Sequence, residues 1–160
     1  MKIKGLIDED FVNFKLPCMF ISIGTCNWKC CKEANLPITV CQNSSLAMQE
    51  DFDISVDEIF NRYITNPITE AVTVGGLEPM SQFDDIYNLI KYFRSKQCND
   101  IFVVYTGYYP DEITSQLEKL KILGNIIFKF GRYVPNNKSH YDEVLGINLI
   151  SDNQKGVKIC

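Results

Sequence analysis

Residues 18–31, CMFISIGTCNWKCC, join a short apolar run to a loop that is unusually rich in cysteine. The run Cys18–Ile23 has the length of a buried β-strand, and Gly24 is typical of a strand end, so we expect a strand here. Four of the chain's seven cysteines lie between Cys26 and Cys41. Average composition does not explain this clustering, which is typical of a site that binds a metal or an iron–sulfur cluster.

The rest of the chain alternates short apolar runs with amphipathic stretches, which predicts strands alternating with helices. The apolar runs predict strands at residues 18–23, 71–74, 101–105, 126–130 and 145–150. Apolar residues at helical spacing predict helices at residues 55–66, 82–96 and 110–124. Ser55 and Glu58 form a capping box at the start of the first helix, and Gly124 is typical of the end of the third.

Strands that alternate with helices through short turns imply parallel strands joined by right-handed crossovers. A closed barrel of eight such units needs about 250 residues, whereas this chain has 160. We therefore expect an α/β fold, a single domain over residues 1–160 that forms a partial, open (β/α) barrel of four to five units with a parallel sheet. Its ligand site is expected at the carboxyl ends of the strands. The cysteine loop, Gly75-Gly76 and Thr106-Gly107 all follow predicted strands.

The composition excludes several classes of function. The net charge is −4 and the basic residues are scattered, which argues against nucleic acid as a partner. No apolar stretch approaches the roughly 18 residues of a membrane span. The first fourteen residues contain acids where a signal peptide has an apolar run, so we expect a cytoplasmic protein without a membrane partner. An odd number of cysteines in such a protein argues against a framework of disulfides.

The cysteine loop can supply three thiolates to one metal centre. We expect Cys26, Cys30 and Cys41 to be the ligands, with Cys31 as the substitute, because adjacent cysteines tend to point in different directions. Three ligands would leave one iron of a four-iron cluster open, and an open metal position is where a substrate can bind. The alternatives are buried structural thiols and a zinc site completed by the only histidine, His140.

The second strand ends in Val74-Gly75-Gly76 and is followed closely by Glu78. Glycines at a strand end let the backbone approach a ligand, and a carboxylate nearby could receive the ammonium group of an amino acid. An ordinary glycine turn would look the same. Trp28, between the expected ligands, could shield a cluster from solvent or simply pack within the loop.

Five passages in order along nearly the whole chain carry a family resemblance. They are residues 14–26, the pair Cys26 and Cys30, residues 41–43, residues 74–79, and residues 127–132 with 151–154. In these passages the chain resembles small radical S-adenosylmethionine (SAM) enzymes, specifically the activating proteins of anaerobic ribonucleoside-triphosphate reductase. Residues 74–79 resemble the Gly-Gly-Glu-Pro motif that meets the methionine part of the cofactor in that family.

The chain departs from the family pattern in two places. The family has three residues between its first two cysteines and two before the third, but here the second gap is ten residues long. Leu77 is an extra residue before Glu78 in the glycine motif. A longer loop can still deliver a thiolate, because the entropy of loop closure grows slowly with length.

The resemblance implies a radical SAM oxidoreductase with two cofactors, a [4Fe–4S] cluster and SAM. By that resemblance the cluster is held by Cys26, Cys30 and Cys41, and SAM is contacted by Gly75, Gly76, Glu78, Pro79 and Thr106. The implied reaction is reductive cleavage of SAM to a 5′-deoxyadenosyl radical, which takes hydrogen from a glycine of the partner reductase. The resemblance also implies an electron donor such as flavodoxin.

Two alternatives remain at this point. One is a radical SAM enzyme that acts on another polypeptide or on a small molecule, which the altered cysteine spacing keeps open. The other is a non-catalytic interaction module that binds zinc or a cluster and does not bind SAM.

Overall fold

The computed structural model describes residues 1–160. Its strands are β1 (Lys2–Asp10), β2 (Cys18–Ile23), β3 (Phe52–Asp53), β4 (Ala71–Gly76), β5 (Ile101–Tyr105), β6 (Ile126–Phe130), β7 (His140–Asp142), β8 (Ile147–Leu149) and β9 (Lys155–Lys158). Its α-helices are α1 (Lys29–Ala34), α2 (Ser44–Ala47), α3 (Val56–Thr65), α4 (Phe83–Ser95) and α5 (Thr114–Lys121). Short 3-10 turns cover Ile38–Val40, Pro79–Gln82 and Pro110–Glu112.

Seven strands form one sheet in the order β3-β1-β2-β4-β5-β6-β9. The four central strands, β2, β4, β5 and β6, are parallel to one another. The outer strands β1, β3 and β9 pair antiparallel, which makes the sheet mixed. The predicted α/β class is therefore confirmed, whereas the partial barrel with a wholly parallel sheet is not.

The fifth predicted strand has a different position from the one expected. Residues 147–149 do form a strand, β8, but it pairs with β7 in a separate two-stranded sheet. The place beside β6 is taken by β9, which runs antiparallel to it. The chain therefore contributes four parallel strands to the sheet, the lower number of the predicted four to five units, and residues 147–149 do not add a fifth.

Helices α3, α4 and α5 pack against one face of the sheet. Alternate residues of a strand point to opposite faces, and Phe102 and Val104 of β5 lie in a core of 23 buried residues together with Phe93 of α4. The rings of Phe93 and Phe102 meet edge to face, with their centroids 5.0 Å apart. At the start of α3, the Ser55 side chain accepts the Glu58 N–H at 3.0 Å, as the capping box predicts.

The opposite face of the sheet is filled only along its lower half. A smaller core of seven buried residues covers the amino ends of the central strands and includes Phe14, Cys18, Ala71 and Leu145. The segment after β1 meets the β7–β8 turn there, where the Lys15 N–H donates to the Leu145 carbonyl at 2.9 Å. The upper half of this face, near the carboxyl ends of the strands, borders a cavity.

The helices are all too short or too polar to cross a lipid bilayer.

Replacing a core ring tests the packing of the helical face. We expect Phe102→Ala to lower the free energy of unfolding by about 3–5 kcal/mol, because Phe102 is fully buried between the sheet and α4. Phe11→Ala is the matched control, since Phe11 is 62% exposed and its loss should change that free energy by less than about 0.5 kcal/mol. Urea unfolding measures both, and similar losses for the two variants would contradict this packing.

Candidate functional site

A cavity of about 390 Å³ lies at the carboxyl ends of the parallel strands, on the face away from the helices. Cys26, Cys30 and Cys41 all line it. Cys31 does not line it, and its side chain is only 8% exposed. The structure therefore brings the three expected ligands together around one space and turns the fourth cysteine of the loop away from it.

The start of α1 explains why the neighbouring cysteines differ. Trp28 adopts the left-handed conformation (φ 59°, ψ 30°), and the helix begins directly after it at Lys29. Successive residues of an α-helix are turned by about 100°, since there are 3.6 residues per turn. Cys30 therefore faces the cavity while Cys31 points elsewhere. The Trp28 N–H also donates to the Cys26 Sγ at 3.2 Å, and the Trp28 side chain lines the cavity.

Burial favours the protonated form of the Cys26, Cys30 and Cys31 thiols. Burial raises the pKa of Cys26 to about 11 and also raises the pKa values of Cys30 and Cys31. A metal that binds thiolates displaces these protons.

The donor set fits an iron–sulfur cluster in its chemistry. No three His, Cys, Asp or Glu side chains are grouped closely enough to hold a single metal ion. A four-iron cluster differs from a single ion because each of its thiolates binds a different iron. Three thiols spread around one cavity suit that arrangement. His140, which the zinc alternative required, lies in β7 and does not line the cavity.

The Glu78 carboxylate joins the loops that follow β4 and β5. It is 5% exposed, and its oxygens accept the Thr106 hydroxyl at 2.7 Å, the Gly107 N–H at 2.8 Å and the Met80 N–H at 3.0 Å. Burial raises the pKa of Glu78, and these hydrogen bonds oppose that rise. A carboxylate has about four acceptor positions, and three of those on Glu78 accept hydrogen bonds that align the two strand ends.

Gly76 lies close to the backbone of β2 at the carboxyl end of β4. Its φ of +80° lies in the left-handed region, and a Cβ atom there would come within 2.9 Å of the Ser22 Cα. Both features require glycine. The side-chain amide of Asn43 donates to the Gly76 carbonyl at 2.5 Å, which ties the segment after Cys41 to the end of β4.

The residues predicted to bind SAM divide into two groups. Gly76, Glu78 and Thr106 line the cavity together with the cysteines. Gly75 and Pro79 do not line it. Gly75 lies instead against the Phe20 ring, and a Cβ atom at Gly75 would be 3.0 Å from that ring.

A network of ion pairs fastens α1 to the loops beside it. Arg132, after β6, binds Glu112 through contacts of 2.6 and 2.9 Å and Glu33 of α1 at 3.0 Å. Lys29 of α1 also binds Glu112, at 2.5 Å. The Arg132 guanidinium holds the pKa of Glu112 at about 2, below its usual range. The network thus positions the helix that carries Cys30. These contacts of Arg132 were not predicted from the sequence.

Lys129 is a cavity residue that was not among the predicted site residues. This residue lies in β6, and its side chain lines the cavity. The available signal was a single lysine inside the otherwise apolar strand Ile126–Phe130. Gln154 also lines the cavity, and it belongs to residues 151–154, one of the passages that carry the family resemblance. Its Oε1 atom is buried and accepts no hydrogen bond.

The comparisons with known proteins give one match. The family model of the 4Fe-4S single cluster domain matches residues 18–154. This range contains Cys26, Cys30 and Cys41 and all four parallel strands. No curated protein and no solved structure matches the chain.

A change at Glu78 tests whether its carboxylate aligns the strand ends. Glu78→Gln puts an amide where the carboxylate accepts two backbone N–H groups and a hydroxyl, so one donor must lose its acceptor. We expect the free energy of unfolding to fall by about 1.5–3 kcal/mol. Urea unfolding of Glu143→Gln, at an exposed glutamate, should show a change below about 0.5 kcal/mol. An equally small effect at Glu78 would contradict the alignment role.

Proposed function

Because the chain belongs to the family of 4Fe-4S single cluster domains, we propose that it is a radical SAM enzyme whose cluster is held by Cys26, Cys30 and Cys41. The observation that carries the proposal is the shared cavity. The three thiols face one space that also meets Gly76, Glu78 and Thr106, the strand-end residues expected beside SAM. Its volume of about 390 Å³ lies within the usual range of small-molecule sites, about 300–1,000 Å³.

The chemistry of the bound cofactors would be one-electron reductive cleavage of SAM into methionine and a 5′-deoxyadenosyl radical. The chain's own residues supply binding and orientation. Glu78 fixes the positions of Thr106 and Gly107, and it keeps one acceptor position for an ammonium group. The left-handed turn at Gly76 leaves backbone without a side chain at the cavity wall.

Exclusion of water is the second contribution of the chain. Phe20, Trp28 and Leu46 give the cavity an apolar lining. Phe14 and Leu145 close the same face of the sheet below it. Such a lining would limit the water beside the bound cofactors and would thereby suppress side reactions.

The proposed substrate is a glycine residue of a partner enzyme, an anaerobic ribonucleoside-triphosphate reductase, and the electron donor is a protein such as flavodoxin. Support for the partner comes from the sequence resemblance. The rim of the cavity adds a physical argument, since it includes Val12, which is 72% exposed, and Ile150, which is 38% exposed. Apolar side chains at an open rim suit the approach of a polypeptide.

Single substitutions in the cysteine loop test the ligand set. We expect Cys26→Ala, Cys30→Ala and Cys41→Ala each to lose most of the iron bound after anaerobic reconstitution, because each removes a thiolate from the cavity. Cys31→Ala is the matched control in the same loop and should keep about four irons per chain. Iron and sulfide analysis together with the visible absorption spectrum gives the readout.

Two results would contradict the ligand set. One is loss of iron from Cys31→Ala with retention in Cys41→Ala, which would exchange the roles of these residues. The other is a colourless wild-type protein with stoichiometric zinc, which would favour the interaction module.

The activity itself is tested in two stages. With a chemical reductant, the reconstituted protein should convert SAM to 5′-deoxyadenosine and methionine, whereas Cys30→Ala should not. With the partner reductase added, electron paramagnetic resonance should detect a glycyl radical. Formation of 5′-deoxyadenosine without any glycyl signal would contradict the activating role and point to another substrate, and absence of SAM cleavage would contradict the enzyme proposal.

A further inference from the structure

The cavity contains one acidic and one basic side chain among the residues that line it. They are Glu78 and Lys129. Lys129 is in β6, where Phe128 and Phe130 on either side of it belong to the large core under the helices. Because strand residues alternate between faces, the lysine side chain extends from the opposite face into the cavity.

The ammonium group of Lys129 has no carboxylate partner. Its hydrogen bond goes to the Gly131 carbonyl at 3.1 Å, and it lies 5.9 Å from the centre of the Tyr105 ring. The Glu78 carboxylate attracts it, but the two side chains form no ion pair, and the Glu78 oxygens accept hydrogen bonds from Thr106, Gly107 and Met80. Burial lowers the pKa of Lys129 to about 8, because the attraction of nearby acidic groups does not offset the loss of solvation.

Two other cations beside the cysteine loop, Arg132 and Lys29, are compensated by carboxylates. Arg132 binds Glu112 and Glu33, and Lys29 binds Glu112. Lys129 is the only cation that lines the cavity, and it forms no ion pair. Lys129 and Cys30, one of the expected cluster ligands, line the same cavity, so a thiolate at Cys30 would attract the ammonium group.

We propose that Lys129 is the counter-charge of the cluster and raises its reduction potential. The inference rests on the proposed function, since it needs a cluster on Cys26, Cys30 and Cys41. A [4Fe–4S] core with three thiolates carries net negative charge, and its reduction by an external one-electron donor adds one more negative charge. A fixed cation in a cavity of low dielectric constant stabilises the more negative, reduced form more strongly.

Redox titration of the reconstituted full chain without SAM tests the proposal, followed by absorption and electron paramagnetic resonance. Lys129→Met removes the charge and keeps most of the side-chain volume, so its midpoint potential should lie below that of the wild type. Lys129→Arg keeps the charge and should titrate close to the wild type. Lys155→Met removes an exposed lysine from the neighbouring strand β9, where solvent screens the charge, and should also titrate close to the wild type.

A wild-type potential in Lys129→Met with its iron content intact would overturn the proposal. So would a loss of SAM affinity in that variant without a shift of potential, because the lysine would then serve an anionic group of the cofactor. If the methionine variant does not retain its iron, Lys129→Gln provides the same comparison with a polar side chain in the cavity. Failure of the wild type to bind a cluster would instead reject the proposed function, so the two failures are distinguishable.

Discussion

Packing of all the crossover helices against one face of the four parallel central strands is the constraint on which this structure depends. The central strands follow one another in chain order, so α3, α4 and α5 share one face and build the large core there. The other face must be covered by what remains, the segment around Phe14 and the β7–β8 hairpin, and these cover only its lower half. The cavity is the uncovered upper half, and it lies where the strand ends deliver their loops.

The loops around the cavity are held by polar contacts of two kinds. The buried Glu78 carboxylate aligns the ends of β4 and β5 through Thr106 and Gly107. The Arg132 guanidinium fastens α1 to the end of β6 through Glu33 and Glu112. The Arg132 guanidinium is paired with carboxylates and the Glu78 carboxylate accepts three hydrogen bonds, whereas the Lys129 ammonium has no carboxylate partner. A chain that keeps an uncompensated cation beside three thiols has a site suited to an anionic group.

The sequence predicted the four parallel strands well because each is a nearly continuous apolar run, as expected of strands covered on both faces. It did not predict β1, because five of the nine residues Lys2–Asp10 are charged. It also did not predict β9, because no local sequence pattern indicates that this segment pairs with β6. The predicted strand at residues 145–150 was found as β8, but its pairing with β7 depends on tertiary contacts.

The candidate site shows the same division. The family resemblance implied Cys26 and Cys30 as ligands, and Cys41 was expected with Cys31 as the substitute, but the choice between these two depends on where α1 begins. That start depends on a left-handed Trp28, a conformation that propensity does not predict for tryptophan. Lys129 was missed because the sequence pattern of a lysine in a short strand indicates a side chain that faces solvent. Only the fold shows that this face of β6 borders the cavity.

Mössbauer spectroscopy of the iron-57 reconstituted protein, with and without SAM, tests the central claim most directly. If Cys26, Cys30 and Cys41 hold a four-iron cluster with one iron free of cysteine, SAM should change the signal of one iron in four and leave the other three alike. A spectrum in which SAM changes no iron, or in which the iron is not a four-iron cluster, would contradict the account.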